Sequence, residues 1–317
     1  MTLALLFSPQ GSQAVGMGRE LAERSAAARD AFDEADAVLG WPVSKTAWNG
    51  PSELLDDTRQ TQPCLLVTSV AALRALEERG APPPALVAGH SVGEYAALVA
   101  AGVLTLPAAL RLVSRRASLM AEADREGGMA AVLGLDRSTV EMVVDTVARP
   151  TELVVANDNA PGQVVISGRR DALDGAEEAL RSAGARRVVR LPVSGAFHSP
   201  LMAGVADALA RAFEEEDWQD AGVPVVSNVT AEALTDADRI RSLLAEQVRS
   251  PVEWVQCVRR MVDDGVETMI ECGAGSALVA MVRRIAPEVR TGSVSDSATL
   301  DAAVELLARP SEAPVGR

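Results

Sequence analysis

The chain has 317 residues, 48% of them hydrophobic, and a formal net charge of −14. That length suits about two domains, or one large domain carrying an insertion, and the apolar content excludes a disordered or fibrous chain. The acidic balance argues against non-specific nucleic-acid binding, which needs a basic face, so no nucleic-acid partner is expected.

Lys45 is the single lysine, so arginine supplies nearly all positive charge. Arginine suits bidentate recognition of carboxylates and phosphates. Cys64, Cys257 and Cys272 each lie in an apolar stretch and are not at metal-ligand spacing. Buried reduced thiols, no metal and a cytoplasmic location are expected. Leu3–Phe7 is too short for a signal h-region, and no stretch reaches about 18 apolar residues free of charge, so no membrane partner is expected either.

In chain order, a first strand at Leu3–Phe7 runs into the polar loop Ser8-Pro9-Gln10-Gly11-Ser12-Gln13. Helical patterns follow at Arg19–Ala37 and Gln62–Glu78, the second with Pro63 near its first turn. Ala85–Ala88 reads as a buried strand, Glu94–Ala101 as a helix ending at Gly102, and Leu106–Ala123 as a further helix. Strands alternating with helices indicate a parallel α/β core.

After Gly127-Gly128 the rhythm changes. A strand at Met129–Leu135 and a helix at Ser138–Ala148 precede a strand pair, Leu153–Ala156 and Gln163–Ser167, joined by a loop at Asn157–Gly162. A helix at Arg170–Gly184 and a strand at Arg187–Leu191 complete a βαββαβ order, the ferredoxin-like unit. The expected organisation is a large domain of residues 1–125 and 193–308, interrupted by a small subdomain at 126–192. Core strands resume at Val223–Ser227 and Thr268–Glu271; Gly273-Ala274-Gly275 marks tight packing into a helix at Ala277–Ile285. Glu214–Asp217 reads as a solvated helix face, and 309–317 as a flexible tail.

Gly89-His90-Ser91-Val92-Gly93-Glu94 lies between a strand and a helix, the setting of a nucleophile elbow. Two glycines permit a sharp turn that lifts the Ser91 hydroxyl clear of the sheet, and the helix start offers free N–H groups to an oxyanion. A serine hydroxyl is a poor nucleophile until a base takes its proton, and the chain has only two histidines. His90 adjoins the nucleophile and should leave the turn in another direction, supporting the loop or hydrogen-bonding nearby. His198, in Gly195-Ala196-Phe197-His198-Ser199, is the candidate base by elimination. No carboxylate stands out as its orienting partner, and a backbone carbonyl could serve instead.

These segments, with Gln60-Thr61-Gln62-Pro63, Arg116, Asn157–Gly168 and Ser250-Pro251-Val252, resemble the malonyl-CoA:acyl-carrier-protein transacylase family, which includes the acyltransferase domains of fatty-acid and polyketide synthases. The resemblance runs from Leu3 to about Ile285. It implies an α/β-hydrolase-like core with an inserted ferredoxin-like subdomain. It further implies that Ser91 takes an acyl group from coenzyme A, that His198 is base and then acid, and that the N–H groups of Gln10 and Val92 form the oxyanion hole. Arg116 would clamp the free carboxylate of malonyl, with Gln62 and His90 also at the substrate and Ser250 orienting the histidine through its main-chain carbonyl. Phe197 resembles malonyl-selective members, since a bulky ring would crowd an α-methyl branch. Malonyl-CoA and a phosphopantetheinylated acyl carrier protein are the implied partners, with no permanently bound cofactor and a monomer expected. Ser8-Pro9 departs from the Pro-Gly of many members, and Ser250 from their Asn. The competing readings are an acyl hydrolase using the same serine and histidine, and a silent docking module.

Overall fold

The computed structural model describes residues 2–123, 126–193 and 195–309. Among them are ten strands: β1 (Leu3–Phe7), β2 (Leu86–Gly89), β3 (Gly127–Leu133), β4 (Leu153–Ala160), β5 (Gln163–Arg169), β6 (Arg187–Arg190), β7 (Val225–Val226), β8 (Ala233–Leu234), β9 (Thr268–Cys272) and β10 (Arg290–Val294). They form two sheets. The larger has the order β10-β9-β1-β2-β7-β8, parallel throughout except for β8. Its central strand β1 is wholly apolar because both of its faces are covered. Leu3, Leu5 and Phe7 join the core under one helical layer, Ala4 and Leu6 the core under the other.

The second sheet is antiparallel, in the order β4-β5-β3-β6. The helices Arg137–Val147 and Arg170–Ser182 cover one face, and Val132, Val140, Ile166, Leu173 and Leu180 give it a core of its own. It docks on the larger sheet's lobe through main chain: Val252 N–H donates to Ala156 O (2.8 Å) and Asp158 N–H to Val252 O (3.0 Å). Arg137, at the start of its helix, reinforces this with two hydrogen bonds to the Glu253 carboxylate.

The molecule is therefore mixed α/β, with a parallel-sheet core and a second antiparallel sheet. Several boundaries differ from expectation. Arg19–Ala37 is two helices, Arg19–Arg24 and Ala26–Leu39, because Ser25 leaves helical geometry and its hydroxyl accepts from Ala28 N–H instead. The helix expected from Gln62 begins at Thr58, capped by Asp57, so Pro63 lies more than a turn inside it. Asn157–Ala160 is strand rather than loop, because β4 continues beside β5 through two register shifts while Asn157 also pairs with Val252. Only Pro161-Gly162 is left to turn.

Glu214–Asp217 follows the helix Ala203–Phe213 rather than lying on one, and Glu216 takes two hydrogen bonds from Arg111, at 2.7 and 2.6 Å. The sequence reading did not anticipate β8, β10 or the helices Ala237–Gln247, Trp254–Asp263 and Ser297–Ala308. Of the expected tail, residues 310–317 lie outside the described residues, as do residues 124 and 125 at the expected domain boundary. All three cysteines are buried and free, and burial pushes each thiol pKa upward, Cys64 to about 12. No helix among the described residues is long and apolar enough to cross a membrane.

Candidate active site

Parallel strands all end at one edge of a sheet, and the loops leaving that edge can converge on a ligand. Here β1 ends at Phe7 and leads into the Ser8–Gln13 loop, its neighbour β2 ends at Gly89 and leads into Ser91, and β7 leads to Asn228. The turn at Ser91 is tight. A Cβ on Gly89 would meet Gly93 backbone atoms at 2.0 Å, and one on Gly93 would meet Phe7 O at 2.2 Å. Ser91 itself is in the left-handed region at φ 54°, a conformation that costs a non-glycine residue free energy and is held by its surroundings. Asn228 is the brace: its Oδ1 accepts from Ser91 N–H and its Nδ2 donates to Gly89 O, both at 2.7 Å.

His198 reaches the same point from the other side of the cleft. It too has positive φ, 58°, and its N–H donates to Val248 O at 2.8 Å. Its Nε2 lies 2.8 Å from Ser91 Oγ and its Nδ1 2.9 Å from Gln247 O. A carbonyl can only accept, so Nδ1 carries the proton and Nε2 offers a lone pair to the serine hydroxyl.

The sequence reading gave the orienting carbonyl to Ser250. The structure corrects this to Gln247, the last residue of the helix Ala237–Gln247, with the Ser250 main chain a lesser partner. The physical reason is that a helix leaves its last carbonyls without intrahelical partners: Gln247 O takes the Ser250 N–H at 3.3 Å and still has a lone pair for the His198 ring. Burial drives the His198 pKa down to about 3, with the charge of Arg116 adding to the effect.

Arg116 is 1% exposed, on the helix Leu106–Glu122. Its Nη2 donates to Ser91 Oγ at 3.0 Å and to Gln247 Oε1 at 3.1 Å, and its Nη1 to Gln62 Oε1 at 2.7 Å. A buried guanidinium whose hydrogen-bond partners among the described residues are two amides and a hydroxyl is a charge without a carboxylate directly upon it, which is costly unless a ligand supplies one. Gln62 in turn donates to Gln10 Oε1 (3.3 Å), whose own Nε2 donates to Thr58 Oγ1 (3.2 Å).

The departure at Ser8 has a structural role. Its hydroxyl donates to Glu271 Oε1 at 2.9 Å, while Glu271 Oε2 accepts from Leu278 and Val279 N–H at the start of the helix Ala277–Ile285. At the elbow, Gly93, Glu94 and Tyr95 N–H donate to His90, Ser91 and Val92 carbonyls, which leaves the Val92 N–H without a main-chain acceptor among the described residues.

His90 points elsewhere. Its Nε2 is 2.7 Å from Asn159 Oδ1 on β4 and its ring packs beside Trp254, so it joins the elbow to the smaller lobe rather than to Ser91. Phe197 is buried, its ring over Gly195. Sequence reasoning missed Gln247 and Asn228. Both are amides far from the elbow in sequence, and the one signal available was that Asn228 follows a core strand. Among the described residues no group of three or more His, Cys, Asp or Glu side chains is placed to hold a metal ion.

Comparison with known proteins places the chain in a family. The model of the acyl transferase domain family matches residues 4–301. The chain is 42% identical over 308 residues to the malonyl CoA-acyl carrier protein transacylase of Bacillus subtilis (strain 168), covering 96% of this chain and 97% of that one. It is 40% identical over 305 residues to the protein of the same name from Escherichia coli (strain K12), covering 96% and 99%. Among solved structures, an acyl carrier protein S-malonyltransferase from Vibrio cholerae superposes with a TM-score of 0.93 at 40% identity, over 96% of this chain and 100% of that one. A malonyl-transacylase in complex with its type II PKS acyl-carrier protein also superposes at 0.93, at 38% identity and with the same coverage.

Proposed function

The chain belongs to the acyl transferase family, and from that premise we propose that it moves a malonyl group from coenzyme A to the phosphopantetheine thiol of an acyl carrier protein through an ester on Ser91. The observation that carries this reading is the Arg116 guanidinium, buried and 3.0 Å from Ser91 Oγ. A fixed positive charge beside the nucleophile suits an acyl group that ends in a carboxylate.

In the first half-reaction Ser91 Oγ attacks the thioester carbonyl carbon as its proton passes to His198 Nε2. The oxyanion is met by the N–H groups of Val92 and Gln10, main-chain dipoles of the kind that stabilise developing charge. The carbon–sulfur bond then breaks and the leaving coenzyme A thiolate takes the proton from His198. The Gln247 carbonyl keeps Nδ1–H fixed throughout and stabilises the imidazolium. In the second half-reaction the carrier thiol gives its proton to His198 as its sulfur attacks the ester carbonyl, the bond from that carbon to Ser91 Oγ breaks, and Ser91 Oγ takes the proton back from His198.

Arg116 does more than bind in this scheme. Its charge lowers the proton affinity of His198 in the free protein. A malonyl carboxylate on Arg116 neutralises that charge, so the base strengthens when the correct substrate arrives. Phe197, beside the base, disfavours an α-methyl branch, a preference limited to about 1–3 kcal/mol for one methyl group.

We read the larger lobe as α/β-hydrolase-like, on the strength of its strand–Ser91–helix turn at the carboxyl edge of a parallel sheet. The βαββαβ order and the strand sequence β4-β5-β3-β6 support a ferredoxin-like reading of the inserted subdomain at 126–192.

The test is incubation with malonyl-CoA labelled in the malonyl group, with and without phosphopantetheinylated carrier protein, followed by intact mass spectrometry. The expected result is label held on Ser91 and then passed to the carrier. Release as free malonate at the same rate in both cases would replace the transferase with a hydrolase.

A further inference from the structure

Gln247 touches the candidate base, the buried guanidinium and the elbow. Its main-chain oxygen holds His198 Nδ1 at 2.9 Å, and its side-chain Oε1 accepts from Arg116 Nη2 at 3.1 Å. Its Nε2 donates to Ser91 O at 3.0 Å and to Glu94 Oε2 at 2.6 Å. An amide has an accepting end and a donating end, and a half-turn about its last torsion exchanges them. Only one orientation offers Arg116 an acceptor. The other sets an NH2 group against a buried guanidinium, donor facing donor, in a place where an unmade hydrogen bond is expensive.

Glu94 is the group placed to choose between them. It lies on the elbow helix, is 3% exposed, and meets Gln247 Nε2 at the shortest of that amide's contacts. Its remaining hydrogen bond comes from Asn228 N–H at 3.4 Å, and Asn228 is the brace of the elbow. Burial raises its pKa to about 7, while the bonds from Gln247 and Asn228 and the charge of Arg116 work to keep it ionised. As a carboxylate it can only accept, which rewards the orientation that turns Oε1 of Gln247 toward Arg116.

We propose that Glu94 is a positioning residue for substrate selection: its carboxylate locks the Gln247 amide in the orientation that keeps the Arg116 guanidinium aimed at a substrate carboxylate. It acts through Gln247 and has no hydrogen bond to Ser91 Oγ or to the His198 ring. The inference rests on the clamp role of Arg116 proposed above. It predicts a loss of preference for carboxylated acyl groups, not a general loss of acylation. In Glu94→Gln the new amide can itself donate, so Gln247 can turn its oxygen toward residue 94 and its NH2 toward Arg116.

The experiment measures kcat/KM for Ser91 acylation by malonyl-CoA and by acetyl-CoA in the full-length protein, with folding checked by thermal unfolding. Glu94→Gln should lower the malonyl:acetyl ratio about ten-fold, within the range of coupling between contacting residues. Gln247→Met removes the amide but keeps the carbonyl that orients His198, and should lower the ratio similarly. Adding Glu94→Gln to Gln247→Met should then change the ratio less than two-fold. The inference is overturned if Glu94→Gln slows both substrates equally, if the two effects multiply, or, should Glu94→Gln not fold, if Gln247→Met leaves the ratio intact. Arg116→Ala in the same assay separates the two levels: a malonyl preference that survives it defeats the clamp itself.

Discussion

Replacing Arg116 by alanine tests the relation between charge and selectivity most directly. Among the described residues its guanidinium makes three hydrogen bonds, to Gln62, Gln247 and Ser91, at 2.7, 3.1 and 3.0 Å, and Arg116 is 1% exposed. A malonyl carboxylate arriving there would form charge-assisted bonds in a dry setting. Stranding that carboxylate without its partner costs about 3–5 kcal/mol. At about 1.36 kcal/mol per factor of ten, malonyl acylation should fall by at least about 10²-fold. Acetyl-CoA brings no second charge, so its acylation should fall no more than about ten-fold, the portion owed to the lost bond on Ser91 Oγ. The assay is stopped-flow or quench-flow acylation with both thioesters, corrected for folded fraction. The positive charge also lowers the His198 pKa, so the acid limb of the acetyl reaction should move to higher pH in the variant. Equal losses on the two substrates, with no movement of that limb, would refute the clamp.

Two further outcomes follow from burial and geometry. His198 is neutral when folded, with its pKa depressed to about 3 from an ordinary 6.5, so its contribution to stability is whole above about pH 6.5 and is lost as pH falls toward 3. Glu94, raised from 4.5 to about 7, acts oppositely: its contribution is whole below about pH 4.5 and is lost as pH rises through 7. Between pH 7 and pH 5 the two nearly cancel, so His198→Gln should gain about 2 kcal/mol relative to the parent over that interval; parallel denaturant-derived stability curves would contradict this. Gly93→Ala should abolish acylation and lower the unfolding temperature sharply, because its Cβ would stand 2.2 Å from Phe7 O; normal activity in that variant would show that the elbow can open.

The parallel core, the change of rhythm that marks a second sheet and the strand–Ser91–helix turn were legible in the chain, because each depends on short-range chemistry; His198 followed by elimination, and Arg116 only from the family resemblance. Strand residues on β1 are apolar without interruption because both faces are covered. Glycines stand where a side chain cannot fit, and two histidines leave little choice of base. Helix ends were less legible, since caps such as Asp57 and Ser25 compete with the apolar pattern around them.

What the chain alone did not disclose was the amide framework. Gln247 lies 156 residues from Ser91 and Asn228 137, and no local pattern distinguishes them from surface amides. Their roles arise when β2 and β7 become neighbours and the helix Ala237–Gln247 ends against the elbow. The assignment of the histidine's carbonyl to Ser250 went astray for the same reason. Any main-chain oxygen near the turn was chemically adequate, and only the packed backbone decides which one faces the ring. Side-chain chemistry is written in the residues themselves, whereas the direction in which a buried dipole points is a property of the assembled fold.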